Sequence, residues 1–301
     1  MIYTVTLNPA IDYVVQLSQG LTPGIINRST SEEYQFGGKG INVSNVLRTL
    51  GQESVVLGFI AGFTGTALEE GLQSAGLTTR FVSVAQGHTR INMKIKGREE
   101  TEINGSGPVI EDTDMQKLLA QLDTLRPGDV LVLSGSVPGC LPADTYAKFL
   151  SQLEGIQIRT VVDAAGDALL CTLPYRPFLV KPNLQELEAL SGTALTTHEQ
   201  IIQRAKQLQQ KGARNVLVSL GGDGALLLDE TGRVHRAVCP QGTVINSVGA
   251  GDSMVAGFLA GYLQTEDYDH ALKLGIAAGS ATAFSLGLAP KALIKHLYTQ
   301  A

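Results

Sequence analysis

The chain has 301 residues, of which 44 % are hydrophobic and 17 % charged, with 34 glycines, no tryptophan and a formal net charge of −5. That apolar content and small charge exclude intrinsic disorder, and glycines without a period of three exclude collagen. An acidic balance without a basic run argues against nucleic acid as the main partner. The widely spaced Cys140, Cys171 and Cys239 form no C-x-x-C pair, which predicts a reduced cytoplasmic chain without a disulfide framework or zinc site. The first residues, Met1-Ile2-Tyr3-Thr4, lack a basic n-region and read as a buried strand, so no signal peptide is expected.

In chain order the pattern opens with a strand at 2–7, a helix at 41–50 stopped by Gly51, and a strand at 54–60. A helix is then predicted to begin at the capping box Thr66-Ala67-Leu68-Glu69. Next come a helix at 113–125, a strand at 129–133, a helix at 142–153 and strands at 159–163 and 178–181. Helices at 184–190 and 197–211 precede strands at 215–220 and 225–228. The strands are runs of Val, Leu and Ile without clean alternation, as strands covered on both faces are. The apolar stretches 253–263 and 274–289 fall short of the roughly 20 residues a membrane span needs, and read as buried helices. The sum is an α/β fold with a mostly parallel central sheet flanked by helices.

Two segments break this rhythm. Residues 12–36 hold polar, alternating stretches, and 88–104 alternate through Ile91, Met93 and Ile95, turn at Lys96-Gly97-Arg98 and continue to Ile103. They are expected to form a small β-sheet, a lid or dimer contact, inserted into a body made of 1–11, 37–87 and 105–301.

Four clusters carry chemistry. Gly37-Gly38-Lys39-Gly40-Ile41-Asn42 enters a helix, where backbone N–H groups and a lysine can meet an anion; an ordinary glycine turn is the alternative. Asn246-Ser247-Val248-Gly249-Ala250-Gly251-Asp252 runs into the helix at 254–263. There Asp252 is either a carboxylate favoured by the helix dipole or a base that takes a proton from an attacking hydroxyl. In Lys181-Pro182-Asn183-Leu184-Gln185-Glu186, Asn183 and Glu186 share a helix face. They can approach one Mg²⁺ or its waters, or simply cap the helix. Ser219-Leu220-Gly221-Gly222-Asp223-Gly224 is a hairpin turn or a backbone platform for a nucleotide. As single residues, Asp12 can bind substrate hydroxyls or be structural, Arg90 on the hairpin can meet a phosphate or simply solvent, and Ser136 offers a hydroxyl at a sheet edge. No P-loop, dinucleotide fingerprint, nucleophile elbow or protein-kinase signature occurs. Two glycine-rich helix entries, a late Asp and a candidate metal pair suit phosphoryl transfer between phosphate-bearing or polyol ligands.

In their order and spacing, Gly37-Gly38-Lys39-Gly40-x-Asn42, Asn183-x-x-Glu186 and the stretch from Asn246 to Ser253 resemble the signatures of the ribokinase/PfkB family of carbohydrate kinases over essentially the whole chain. The resemblance implies a ribokinase-like fold, ATP and Mg²⁺ as cofactors, and Asp252 as the base with an anion hole at Gly249, Ala250 and Gly251. It implies that Asp12, Gly38, Lys39 and Asn42 hold the sugar, and that Arg90 and Ser136, with Lys39, face its phosphate. Lys181, Asn183, Ser219, Gly221, Val248 and Gly249 fall on the ATP side, and Asn183 with Glu186 on the metal. The family's small sheet implies a lid and a homodimer. Residues 6–12, 89–92, 101–108 and 134–138 resemble the members that act on phosphorylated ketohexoses. Fructose 1-phosphate is the expected substrate, with fructose 6-phosphate and tagatose 6-phosphate as alternatives. A sugar-phosphate sensor without catalysis is the alternative of a different class.

Overall fold

The computed structural model describes residues 1–300. The chain opens with β1 (Ile2–Thr6), β2 (Ala10–Leu17), β3 (Ser29–Gly37), α1 (Lys39–Thr49), β4 (Ser54–Ala61) and α2 (Gly62–Ser74). It continues through β5 (Thr78–Val84), β6 (Arg90–Lys96), β7 (Thr101–Ile103), α3 (Asp112–Leu122), β8 (Val130–Ser134), α4 (Thr145–Gln152) and β9 (Arg159–Asp163). Then follow α5 (Gly166–Leu170), β10 (Leu179–Val180), α6 (Leu184–Ser191), α7 (His198–Gln210), β11 (Asn215–Ser219), β12 (Ala225–Leu228) and β13 (Val234–Ala237). Three helices close the chain: α8 (Ala250–Thr265), α9 (Tyr268–Ala283) and α10 (Lys291–Tyr298).

The large sheet has nine strands in the order β13-β12-β11-β10-β9-β8-β1-β4-β5. Every neighbouring pair from β11 to β5 is parallel, and β12 and β13 add an antiparallel edge. Both faces are covered, which is why the strands read as continuous apolar runs: all eight residues of β4 and all five of β8 are buried. One face packs Val5, Leu57, Leu131 and Val216 against α3, α4 and α7; the other packs Val130, Val161 and Leu217 against α8 and α9. Because the strands run the same way, Thr6, Ser134, Asp163, Lys181 and Ser219 all arrive at one edge, the carboxyl ends, where open α/β sheets hold ligands.

Several expectations change: helices α5 and α10 were not expected, and the helix read within 274–289 ends at Ala283. Helix α2 starts at Gly62, directly after β4, and not at the capping box near Thr66. The cause is tertiary: the Ala61 N–H donates to Thr89 Oγ1 at 2.9 Å, and Thr64 Oγ1 donates to the Thr89 carbonyl at 2.7 Å. Thr66 then lies inside the helix, and Glu69 accepts instead from the Thr79 hydroxyl at 2.9 Å. Strands β5 and β13 were not expected; both are sheet edges whose outward residues are polar, so neither reads as an apolar run.

The second sheet has the order β3-β2-β6-β7. The hairpin at Lys96-Gly97-Arg98 forms, with Met93 opposite Ile103, and β2 runs parallel to β6 with Asp12 opposite Asn92. Strand alternation gives this sheet two unlike faces. Arg90, Asn92 and Lys94 share a face with Asp12, while Ile91 and Met93 share the other with Tyr13 and Tyr34, whose rings stack at 4.8 Å.

Helix α1 is placed by close approach to β1. A Cβ on Gly40 would stand 2.6 Å from Thr6 Oγ1 and 2.8 Å from the Val5 carbonyl oxygen. Beneath the helix, Ser44 Oγ lies 2.8 Å from Thr4 Oγ1 and 2.9 Å from Ser54 Oγ, so the buried hydroxyls satisfy one another. Gly40→Ala is expected to force α1 off β1 and lower stability by about 1–3 kcal/mol, read as a lower urea midpoint; an unchanged midpoint would contradict this packing.

Candidate active site

Three adjoining cavities open along the carboxyl edge of the large sheet. The central one, about 390 Å³, is lined by Asp12, Gly38, Lys39, Asn42, Arg90, Lys181, Asn183, Ser219, Val248, Gly249, Gly251 and Asp252. A second, about 590 Å³, shares Gly38, Lys39 and Arg90 with it and continues over Ser136 and the turn to Gly139. The third, about 600 Å³, shares Asn183, Ser219 and Gly251 and runs under Gly221, Ala250, Gly279 and Phe284. The sequence-expected residues, drawn from both ends of the chain, thus meet along these adjoining cavities, except Glu186, which lines none of the three.

Each side chain is set by a local device. Gly38 caps α1 at φ +140°, with no room for a Cβ beside Thr6, and so delivers Lys39 and Asn42 in the first turn. Gly249 takes the left-handed conformation at φ +80° and starts α8. The N–H of Ala250 turns back to the Ser247 carbonyl at 3.2 Å, which leaves its neighbours Gly249 and Gly251 to offer N–H groups at the helix start, where an anion can be met. A Cβ on Gly251 would stand 3.2 Å from Lys181 Nζ, so the ammonium lies directly over the helix start.

Asp252 is 5 % exposed and accepts a 2.8 Å hydrogen bond from Asn42 Nδ2. Burial, and then the charge of Asp163, push its carboxyl up to about 6, against the Asn42 hydrogen bond and the ammonium groups of Lys39 and Lys181. Asp163, at the end of β9, receives Lys181 Nζ at 3.2 Å and Lys39 Nζ at 3.4 Å. Burial alone would raise its carboxyl, but the two lysines outweigh it and hold it below the usual range. Burial likewise disfavours the Lys39 ammonium, yet Asp163, Asp252 and Glu186 keep it firmly protonated.

On the small sheet Asp12 is held at both oxygens. Asn92 Nδ2 donates to Oδ1 at 2.8 Å and Lys94 Nζ pairs with Oδ2 at 3.0 Å. Arg90 Nε donates to the Asn8 carbonyl at 3.1 Å, and its guanidinium lines the two cavities on the Ser136 side. Asn183 and Glu186 form the capping box of α6: Asn183 Oδ1 accepts from the Glu186 N–H at 2.7 Å, and Glu186 Oε2 accepts from the Asn183 N–H at 2.9 Å. The capping and the metal readings are therefore both open to this pair, since Glu186 Oε1 takes no hydrogen bond from the described residues.

Sequence reasoning missed Asp163, Asn92 and Lys94. The signals were there: Asp163 ends a covered strand at the ligand edge, and alternation sets Asn92 and Lys94 on the face of Arg90.

The family described as pfkB family carbohydrate kinase matches residues 3–294. The chain is 46 % identical over 297 residues to 1-phosphofructokinase from Bacillus subtilis, covering 99 % of this chain and 97 % of the relative. It is 39 % identical over 289 residues to D-tagatose-1-phosphate kinase from Bacillus licheniformis, covering 96 % and 94 %. Its structure is similar to that of phosphofructokinase-2 from Escherichia coli in complex with fructose-6-phosphate, with a TM-score of 0.91, 29 % identity and coverage of 99 % and 98 %.

The carboxyl of Asp252, followed by carbon NMR, is expected to titrate near pH 6, and at higher pH in Asn42→Ala, because the lost hydrogen bond favours the charged form. A midpoint at about 4, the ordinary aspartate value, would contradict this environment.

Proposed function

The chain belongs to the pfkB family of carbohydrate kinases and is an ATP-dependent sugar kinase, and on that premise we propose that it phosphorylates fructose 1-phosphate to fructose 1,6-bisphosphate. The observation that carries this reading is the set of adjoining cavities, with Asp252 in the central one, Arg90 and Ser136 on one side and Ser219 and Gly221 on the other. The sugar phosphate lies on the first side, held at its hydroxyls by Asp12 and Asn42, with its phosphate toward Arg90, Ser136 and Lys39. ATP lies on the second, along Lys181, Asn183, Ser219, Gly221 and Val248.

The free primary hydroxyl attacks the γ-phosphorus, the bond from that phosphorus to the bridging oxygen of ADP breaks, and the hydroxyl proton passes to Asp252. A carboxylate with raised proton affinity is suited to that task near neutral pH. Negative charge developing on the moving phosphoryl meets the N–H groups at the start of α8 and the Lys181 ammonium above Gly251.

Asn183 and Glu186 hold each other, so the pair fits a divalent cation reached through water from Glu186 Oε1, not two direct bonds. Mg²⁺, which keeps several of its waters, matches that donor set and neutralises the terminal phosphates when bound.

The polar face of the small sheet makes the lid over the sugar, and its apolar face makes a homodimer contact: Tyr34, Ile91, Met93 and Ile103 are all exposed there. No described helix is long and apolar enough to cross a membrane; with all three cysteines free, the reading is of a cytoplasmic enzyme.

A second reading, phosphorylation of tagatose 1-phosphate, has the Bacillus licheniformis relative behind it. Steady-state kcat/KM measured side by side is expected to rank fructose 1-phosphate above tagatose 1-phosphate, and both above the 6-phosphates of fructose and tagatose. Preference for a 6-phosphate would overturn the substrate, and ADP release indifferent to added sugar would overturn the reaction. Asp252→Asn should lower kcat by about 10²–10⁴-fold with binding largely kept; near-normal turnover would remove Asp252 as the base. Met93→Glu is expected to give monomers in sedimentation velocity, and a dimer that survives it would discard the interface.

A further inference from the structure

The reaction proposed above leaves one charged group at the site without a task. Asp163 is 1 % exposed, and both ammonium groups reach the same oxygen, Lys181 Nζ at 3.2 Å and Lys39 Nζ at 3.4 Å from Oδ1. Its other oxygen, Oδ2, is buried without a hydrogen-bond partner among the described residues. A carboxylate placed for its own stability would use both oxygens. This one is instead placed where two lysines from different elements can converge.

Those lysines come from different elements and both line the central cavity. Lys39 opens α1 and lines the sugar-side cavity, whereas Lys181 follows β10 and lies over Gly251 at the start of α8. Both also feel Asp252, whose direct side-chain hydrogen-bond partner among the described residues is the neutral Asn42. In a desolvated site an ammonium without a counter-charge moves to the nearest carboxylate. Were Asp163 neutral, that carboxylate would be Asp252, and an ammonium on its oxygens would block proton transfer.

We infer that Asp163 is a positioning residue, which draws Lys39 and Lys181 away from Asp252 and fixes one ammonium on the acceptor side of the transfer and the other on the donor side. The inference rests on the reading of Asp252 as the base of a sugar-phosphate kinase. The groups that set the charge at Asp252 are Asp163 from β9, Lys39 from α1 and Lys181 after β10, with Glu186 of α6 acting on Lys39. Loss of the Asp163 charge acts on Asp252 twice in the same direction, by removing a repulsion and by releasing two cations toward it.

Asp163→Asn is therefore expected to lower kcat by about 100-fold with smaller changes in both KM values. The acidic limb of kcat should move down by about one pH unit or more. A residue needed only for folding would reduce the yield of folded protein and leave that limb in place. Wild-type kcat in Asp163→Asn, or a fall in kcat with an unmoved limb, overturns the inference. Should that variant not fold, Asp163→Glu carries the test. It keeps the charge but displaces it, so the limb should stay while kcat falls by about tenfold or more; a kcat within about twofold of the parent overturns the inference. The Asp252 carboxyl titration in these variants needs no substrate. If the parent enzyme fails to turn over ketohexose phosphates, the reaction reading falls, and a lower Asp252 midpoint in Asp163→Asn still supports the charge relation.

Discussion

Two ammonium groups and two carboxylates share one space, with Asp163, Asp252 and Lys181 buried and Lys39 half-buried at its edge, and the surroundings of the four are arranged around holding them there. Charges in such a place are tolerable only if each is opposed and fixed, because the attraction that would rearrange them is strong where the dielectric constant is low. The fixing comes from rigid elements. Asp163 ends β9, Lys181 extends β10, and Asp252 and Lys39 sit in the first turns of α8 and α1. No long loop carries any of the four.

The large sheet supplies this because its central strands are parallel. Parallel strands deliver their carboxyl ends to one edge, so residues 6, 134, 163, 181 and 219 become neighbours although they span most of the chain. Helices α1 and α8 pack against the same face and start at that same edge. Glycines at the two helix entries then let backbone and ligand-facing side chains approach closely: Gly38 beside Thr6, and Gly251 beneath Lys181. At these positions close approach, and not flexibility, explains the glycine.

The small sheet works by a different rule. Its alternation puts Asp12, Arg90, Asn92 and Lys94 on one face and Ile91, Met93, Tyr13 and Tyr34 on the other. One strand pair thereby presents a polar face and an apolar face at once, which a sheet covered on both faces cannot do. The hairpin around Gly97 was legible because its period of two survives in the sequence. Edge strands β5 and β13 were not, since half of their residues face water and carry no apolar run. The start of α2 was misplaced for another reason: a capping box was present at Thr66, but Thr89, distant in sequence, offered Ala61 and Thr64 better partners.

The sequence by itself determined the fold class and the two glycine-rich helix entries, because apolar period and glycine placement are local properties, and its motif order named most of the residues around the central cavity through a resemblance to the family. It also left Asn183 and Glu186 suspended between capping and metal contact, and the structure shows the cap made, with Glu186 Oε1 taking no hydrogen bond from the described residues. Only the tertiary structure decided how the charges pair. Asp163 reads as an ordinary end of strand until the parallel sheet brings Lys39 and Lys181 to the same oxygen, from positions 124 and 18 residues away. Charge pairing depends on distance in space and on the exclusion of water, and neither is written in the spacing of residues along the chain.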